Sequence, residues 1–264
     1  MKYAIFIMTI VLLTSCEKVI DFDLKESQPQ VVIESIANNE SHTVWTKLSL
    51  SGDYYNPNEF DKITGATVSA TINGTVELNL EEKSAGYYET VFDEVNAGDI
   101  FSLSVKIDGI EYSAVSELQE KVQVDSVFFQ YSGETVFAPE GFRAVAIFTD
   151  PPGKGNYYRI QLYVNDEPAT DGIIYLYNDN TTDGAPVSYL LYRNALQQGD
   201  RVRVELWTVD KQVYDYYAGL EKLISTYPAH MQVSPANPET NLTGGALGYF
   251  AAIAVTSSKI YFIE

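Results

Sequence analysis

The sequence predicts an all-β protein built as two consecutive β-sandwich domains, with one amphipathic helix in the second. Three observations lead there. Tyrosine is used 20 times in 264 residues and tryptophan twice, and tyrosine favours strands and half-wet surfaces, where its ring packs while the hydroxyl stays hydrated. Short segments from Val31 onward alternate apolar and polar residues, the period-two pattern of half-buried strands. Turn residues punctuate these segments, and only "DKQVYDYYAGLEKLIS", Asp210 to Ser225, carries a helical period.

The first domain, residues 31–118, reads as an immunoglobulin-like or transthyretin-like sandwich of about seven strands with no helix. Its clearest piece is "FSLSVKIDGIEYSAVS", Phe101 to Ser116. A two-residue turn at Asp108-Gly109 sets Ile107 opposite Ile110, Val105 opposite Tyr112 and Leu103 opposite Ala114, all on one face. Lys106 then meets Glu111 and Ser104 meets Ser113 on the solvated side. In "ATVSATINGTVELNL", Ala66 to Leu80, a two-residue turn at Asn73-Gly74 would place the two apolar rows on opposite faces. Burial outweighs turn preference, so a three-residue loop, Asn73 to Thr75, is expected, pairing Ile72 with Val76, Ala70 with Leu78 and Val68 with Leu80. "QVVIESI", "TVWTKLSL" and "YYETVF" supply further strands.

The second domain, residues 122–264, continues with "VQVDSVFFQY", "FRAVAIFT", "YYRIQLYV", "GIIYLY", "VSYLLY" and "RVRVELWTV". In the last, Val202, Val204 and Leu206 form a dry side and Arg201, Arg203 and Glu205 a wet one. The helix near 210–225 has Asp210 as N-cap, an apolar stripe through Val213, Tyr216 or Tyr217, Leu220, Leu223 and Ile224, and Pro228 just past its end. The paired glycines Gly244 and Gly245, ahead of the small and apolar run to Val255, signal close backbone approach.

Charge and cysteine usage exclude several functions. With 17 Lys and Arg against 36 Asp and Glu, the formal net charge is −19, which repels phosphate backbones and anionic head groups alike. Nucleic acid is therefore not an expected partner. The 45% hydrophobic content exceeds that of disordered chains. A single cysteine rules out an internal disulfide, a CxxC redox pair and multi-cysteine metal sites.

That cysteine stands in "MKYAIFIMTIVLLTSC" behind a cationic start at Lys2, an apolar stretch from Ala4 to Leu13, and Thr14 and Ser15. This is the layout of an export signal, far short of the roughly 20 residues a spanning helix needs. Leu13 to Cys16 resembles the lipobox of bacterial lipoproteins. The resemblance implies removal of residues 1–15 by cleavage between Ser15 and Cys16, a diacylglyceryl thioether on Cys16, and an acylated (palmitate-type) new N-terminus. Two or more acyl chains anchor stably, at about 0.8 kcal/mol per buried methylene. Residues 16–30, with the polar run "EKVIDFDLKESQPQ", then serve as a tether.

Chemistry is sparse elsewhere. No GxSxG, HExxH, Walker A or GxGxxG motif occurs, and the two histidines, His42 and His230, fall in different expected domains. No catalytic, cofactor-binding or metal-ligating residue is expected, and each histidine reads as a surface or strand residue. "DNTTDG", Asp179 to Gly184, has the start of a calcium loop, but Leu190 stands where a bidentate Glu belongs, so it reads as an Asn/Asp-rich turn between strands. "TDPPGKGNYYRI", Thr149 to Ile160, lacks the P-loop spacing. It is a loop stiffened by two prolines and supplies the candidate interaction residues Asp150, Pro151, Pro152, Tyr157 and Tyr158.

The lipobox followed by "CEKVIDFDL", then "TDPPGKGNYYR", "GDRVRVELWTVDKQVYDYYAGLE" and "PANPETNLTGGALGYF", is together similar to a family of outer-membrane lipoproteins of the Bacteroidota, the domain-of-unknown-function 4249 family. The resemblance spans essentially the whole mature chain. It implies an accessory role beside TonB-dependent outer-membrane receptors in nutrient uptake, and it brings no catalytic residues. The expected protein is thus a non-enzymatic, lipid-anchored binding protein of the outer membrane without a cofactor, its membrane contact covalent and a TonB-dependent receptor its partner. An envelope hydrolase using paired carboxylates and a structural or adhesive module are the alternatives. The mixed charges behind Cys16 leave periplasmic and outward-facing placement both open.

Overall fold

Seven strands of the first half hydrogen-bond into one ladder that folds back on itself. They are β1 (Val31–Asn38), β2 (Thr43–Leu50), β3 (Thr67–Ile72), β4 (Val76–Ser84), β5 (Tyr87–Val91), β6 (Ile100–Ile107) and β7 (Ile110–Glu117), in the spatial order β1-β2-β5-β4-β3-β6-β7. The corner lies in β4. Val76 to Leu80 pairs with β3, whereas Glu81 to Ser84 pairs with β5 across an irregularity between Glu82 and Ser84. A bulged strand bends and twists more strongly, so this one strand belongs to both layers. Between the layers lies a core containing Ile33, Leu48, Val68, Tyr88, Phe101 and Val105. The computed structural model describes residues 29–52, 60–136, 139–169, 173–191, 195–224 and 236–262.

Both hairpin registers match the sequence reading. Ile107 faces Ile110, Val105 faces Tyr112 and Leu103 faces Ala114, with Asp108 at φ 49° and Gly109 at φ 83°, as a turn with both central residues left-handed requires. In the other hairpin Ile72 faces Val76, Ala70 faces Leu78 and Val68 faces Leu80. The loop is Asn73 to Thr75, closed by Thr75 N–H donating to the Ile72 carbonyl at 3.1 Å.

The second half is a sandwich of two sheets. One holds β8 (Val124–Ser132), β9 (Gly141–Thr149) and β13 (Pro186–Leu190), in the order β13-β9-β8. The facing sheet carries β10 (Tyr157–Val164), the short β11 (Glu167–Pro168), β12 (Tyr175–Asn178), β14 (Arg201–Val209) and β15 (Leu247–Tyr261). Phe148, Tyr158, Ile160, Leu162, Val204 and Leu206 fill the space between. Val202, Val204 and Leu206 do form the dry side of β14, while the side chains of Arg203 and Glu205 are only 23% and 12% exposed. The wet side is thus partly covered.

β15 joins the halves. Its first part, Leu247 to Ile253, runs parallel to β1, and its last part, Ala254 to Tyr261, runs antiparallel to β14. The ladder of the first half therefore continues without a break into the second. Phe250, Ala252 and Ala254 point into the first core, Ile260 packs on the second, and Tyr249, Ala251, Ile253 and Val255 fill a third cluster on the opposite face. A division at 118/122 assigns all of β15 to the second sandwich by sequence order. In space, its first half closes the first.

The third cluster is covered by helix α1 (Lys211–Ile224). Asp210 caps it as the sequence indicates, Oδ1 accepting from the Val213 N–H at 2.9 Å. The stripe is shorter than expected. Val213 and Tyr217 are buried, but Leu223 and Ile224 are 42% and 40% exposed. Pro228 lies outside the described residues.

Three substitutions test this arrangement by urea denaturation. Gly248 sits at φ +99°, and a Cβ there would stand 2.0 Å from the Ile33 carbonyl oxygen. Gly248→Ala should therefore lose at least about 3 kcal/mol, combining backbone strain with overpacking. Gly109→Ala, left-handed but in open space, should lose only about 1 kcal/mol. Ser116 Oγ donates to Asp210 Oδ2 at 2.5 Å and accepts from the Ala252 N–H at 2.9 Å. Ser116→Ala leaves that buried N–H unpaired and should cost about 1–3 kcal/mol.

Candidate functional site

The two loops singled out in the sequence meet. Asp150 directly follows β9, Asp179 follows β12, and Asp183 precedes β13; a carboxylate oxygen from each lies within 4.8 Å of the others. Asp150 and Asp179 are fully buried and Asp183 is exposed. Asp150 Oδ1 accepts from the Tyr158 hydroxyl at 2.5 Å, and its Oδ2 accepts from the Gly184 N–H at 3.1 Å. Asp179 accepts from the Gly155 N–H through both oxygens, at 3.1 and 2.9 Å. Asp183 Oδ1 accepts from the Gly153 N–H at 2.7 Å. Each carboxylate thus grips the backbone of the opposite loop. Burial, then the bond to Asp150, pushes the Tyr158 phenol far above its usual range, so it remains a donor at any ordinary pH.

This geometry redistributes the candidate interaction residues. Asp150 and Tyr158 are fully buried and serve as internal ties rather than contact surface. Pro151 is half-buried, and Pro152 is exposed beside Gly184. Tyr157 points to the other face of β10 and packs on Tyr214 of α1 at 5.0 Å. No motif in the sequence signals the bonding of Asp150 to the 179–184 turn. The local signal is an aspartate directly before Pro-Pro, where the chain must turn.

The odd-numbered face of β10 presents a second constellation. The Arg159 guanidinium lies 4.5 Å from the Trp207 ring and 4.1 Å from the Tyr217 ring. Its Nη1 donates to the Tyr217 hydroxyl at 2.7 Å and its Nη2 to Gln161 Oε1 at 2.9 Å. Tyr217 in turn donates to the Tyr249 hydroxyl at 2.6 Å. Burial raises both phenols, Tyr249 strongly. Tyr216, beside them, is pushed up to about 12 by burial and by the field of Glu34.

Elsewhere, His42 lies in the β1–β2 turn against Phe92 at 5.9 Å, with Nδ1 3.5 Å from the Asp93 carbonyl. His230, Ser15 and Cys16 lie outside the described residues.

Two measurements check these readings. Asp179→Ala frees the Gly155 N–H and removes one of the three carboxylate ties between the loops, and should cost about 2–3 kcal/mol in denaturant, since bonds to charged groups are the stronger kind. The second concerns alkaline pH. Tyr216 and Tyr87, the latter raised first by burial and then by its bond to Glu89, both sit at about 12, against about 10 for a free phenol. The folded state holds these protons more tightly, so their contribution is fully present below about pH 10 and is lost as pH climbs to about 12. Denaturation midpoints should fall across that window while phenolate absorbance rises.

No curated protein matches this chain. Among solved structures it is similar to a two-domain fibronectin type-III segment of chicken tenascin, at 13% identity over 71% of this chain and 90% of that one, with a TM-score of 0.22. Residues 17–259 match the family described as a domain of unknown function, DUF4249, and the chain belongs to that family.

Proposed function

We propose that this protein is a lipid-anchored binding protein of the bacterial outer membrane, an accessory to a TonB-dependent receptor in nutrient uptake, and not an enzyme. The observation that carries the reading is the lipobox-like "LLTSC" directly behind a short apolar run. The fold supports it in one respect. Gln30, where the expected tether ends, is fastened to Ser51 by two bonds, Gln30 N–H to Ser51 Oγ at 3.0 Å and Ser51 N–H to the Gln30 carbonyl at 2.8 Å. A tether ending at Gln30 would enter the body at the start of a central strand, which supports the reading.

The hydrolase alternative asks for two carboxyl groups facing each other across an open cleft. Asp150 and Asp179 come close together but are shut from solvent and committed to loop N–H groups and Tyr158.

The test is cellular. Cys16→Ser should move the protein from the membrane to the soluble envelope fraction, and detergent extraction of the native protein should bring a TonB-dependent receptor with it. Membrane retention of Cys16→Ser would overturn the anchor, and repeated extraction without a receptor would overturn the partnership.

A further inference from the structure

Beside the C-terminal end of α1, on the outer face of β10, lies a groove of about 270 Å³. Arg159, Gln161, Ala169, Ile173, Ile174 and Ile224 are among its lining residues. We propose that it binds a small amphipathic carboxylate, with the acid on Arg159 and a short apolar tail on the isoleucines. This site is independent of the lipid anchor and of the receptor partnership.

The argument begins with charge. The chain carries 36 acids against 17 Lys and Arg, and neighbouring arginines have taken theirs: Arg201 pairs with Asp166 and Arg203 with Glu205. Among the described residues no carboxylate lies within ion-pairing distance of Arg159. Glu205, opposite Gln161 in the β10–β14 register, is engaged by Arg203, by Trp207 Nε1–H at 3.0 Å and by the Tyr163 hydroxyl at 3.3 Å. Among the described residues the partners of Arg159 are neutral groups: a phenol whose burial keeps it protonated, a side-chain amide and an indole face. A guanidinium has five N–H donors, and the two bonds to Tyr217 and Gln161 leave donors over.

Geometry adds pre-organisation. Stacking between Trp207 and Tyr217 fixes the guanidinium plane, so little side-chain entropy remains to be lost when a ligand arrives. The walls set the rest of the ligand. Ile173 and Ile224 are each 40% exposed, which leaves apolar surface for a tail to cover. The volume lies just under the range of about 300–1,000 Å³ usual for small-molecule sites, so the tail must be short. A single cation beside the isoleucines suits a single negative charge better than a phosphate dianion, and a carboxylate matches the guanidinium fork in both charge and spacing.

The probe is hexanoate, titrated calorimetrically into the full-length protein, with hexanol as the uncharged control. Hexanoate should bind at least about tenfold more tightly than hexanol, the ratio expected of a charge-assisted pair. Arg159→Gln should remove that preference. Because Arg159 also packs on Trp207 and Tyr217, a second variant guards against a folding artefact: Ile173→Asp, at an exposed position, should keep the melting temperature and weaken hexanoate at least about tenfold by like-charge repulsion. Equal binding of acid and alcohol, unchanged hexanoate affinity in Ile173→Asp, or no heat of binding at millimolar hexanoate would each overturn the proposal. None of these outcomes bears on where Cys16 places the protein.

Discussion

The arrangement depends on one strand lying where three apolar clusters meet. β15 has to be narrow where it passes β1, because a side chain at Gly248 would occupy the space of the Ile33 carbonyl. It has to be apolar on both faces further on, since Phe250, Ala252 and Ala254 serve one core while Ala251, Ile253 and Val255 serve the helix-covered cluster. Changing partners midway creates a problem of backbone satisfaction, because buried N–H and C=O groups without partners are costly. Side chains fill the gaps. Asn241 bonds both the N–H and the carbonyl of Phe250, Ser116 accepts from Ala252, and Asn39 accepts from Val255 through Oδ1. The Thr256 hydroxyl ties the strand to the segment ahead of β8 at the Val122 carbonyl, at 2.7 Å. These polar residues let a single strand serve two sheets.

β10 divides the chemistry as β15 divides the packing. Alternation along a strand sends successive side chains to opposite faces, and Tyr157 to Gln161 uses both. Tyr158 and Ile160 point inward, Tyr158 reaching the Asp150 carboxylate. Tyr157, Arg159 and Gln161 point outward, toward α1 and the groove. Two buried aspartates close together would be unfavourable as bare charges. Five backbone and phenol hydrogen bonds to the three acids, counted by oxygen, supply the local solvation that water would otherwise provide.

What could be read from sequence was what short-range physics decides. The Asp108-Gly109 hairpin follows from two residues that tolerate positive φ and from matching apolar rows. The three-residue loop at Asn73 follows because the alternative register would expose one row. The cap at Asp210 follows from a side chain three residues from its N–H partner. What could not be read depends on residues far apart in the chain. Gly248 to Val255 is buried on both sides, so its apolar run has no period to declare its pairing, and nothing local marks Val32 as the partner of Leu247. The Asp150 latch and the Arg159 stack fail to announce themselves for the same reason. Their members come from separate strands and a helix, and each residue alone looks like an ordinary turn or strand residue.

The position of β1 bears on how an anchored body would carry load. Val31 to Asn38 is hydrogen-bonded along its length on both sides, antiparallel to β2 and parallel to β15. If the chain before Gln30 is the lipid-bearing tether, tension from the membrane enters along the axis of this strand. It then loads both ladders in shear, many bonds at once, rather than peeling an edge strand one bond at a time. An edge such as β7 at the same point would open sequentially from its end. The parallel pairing that escapes sequence analysis thus does more than close a core: it doubles the number of ladders that must slip before the tether can draw out the first strand.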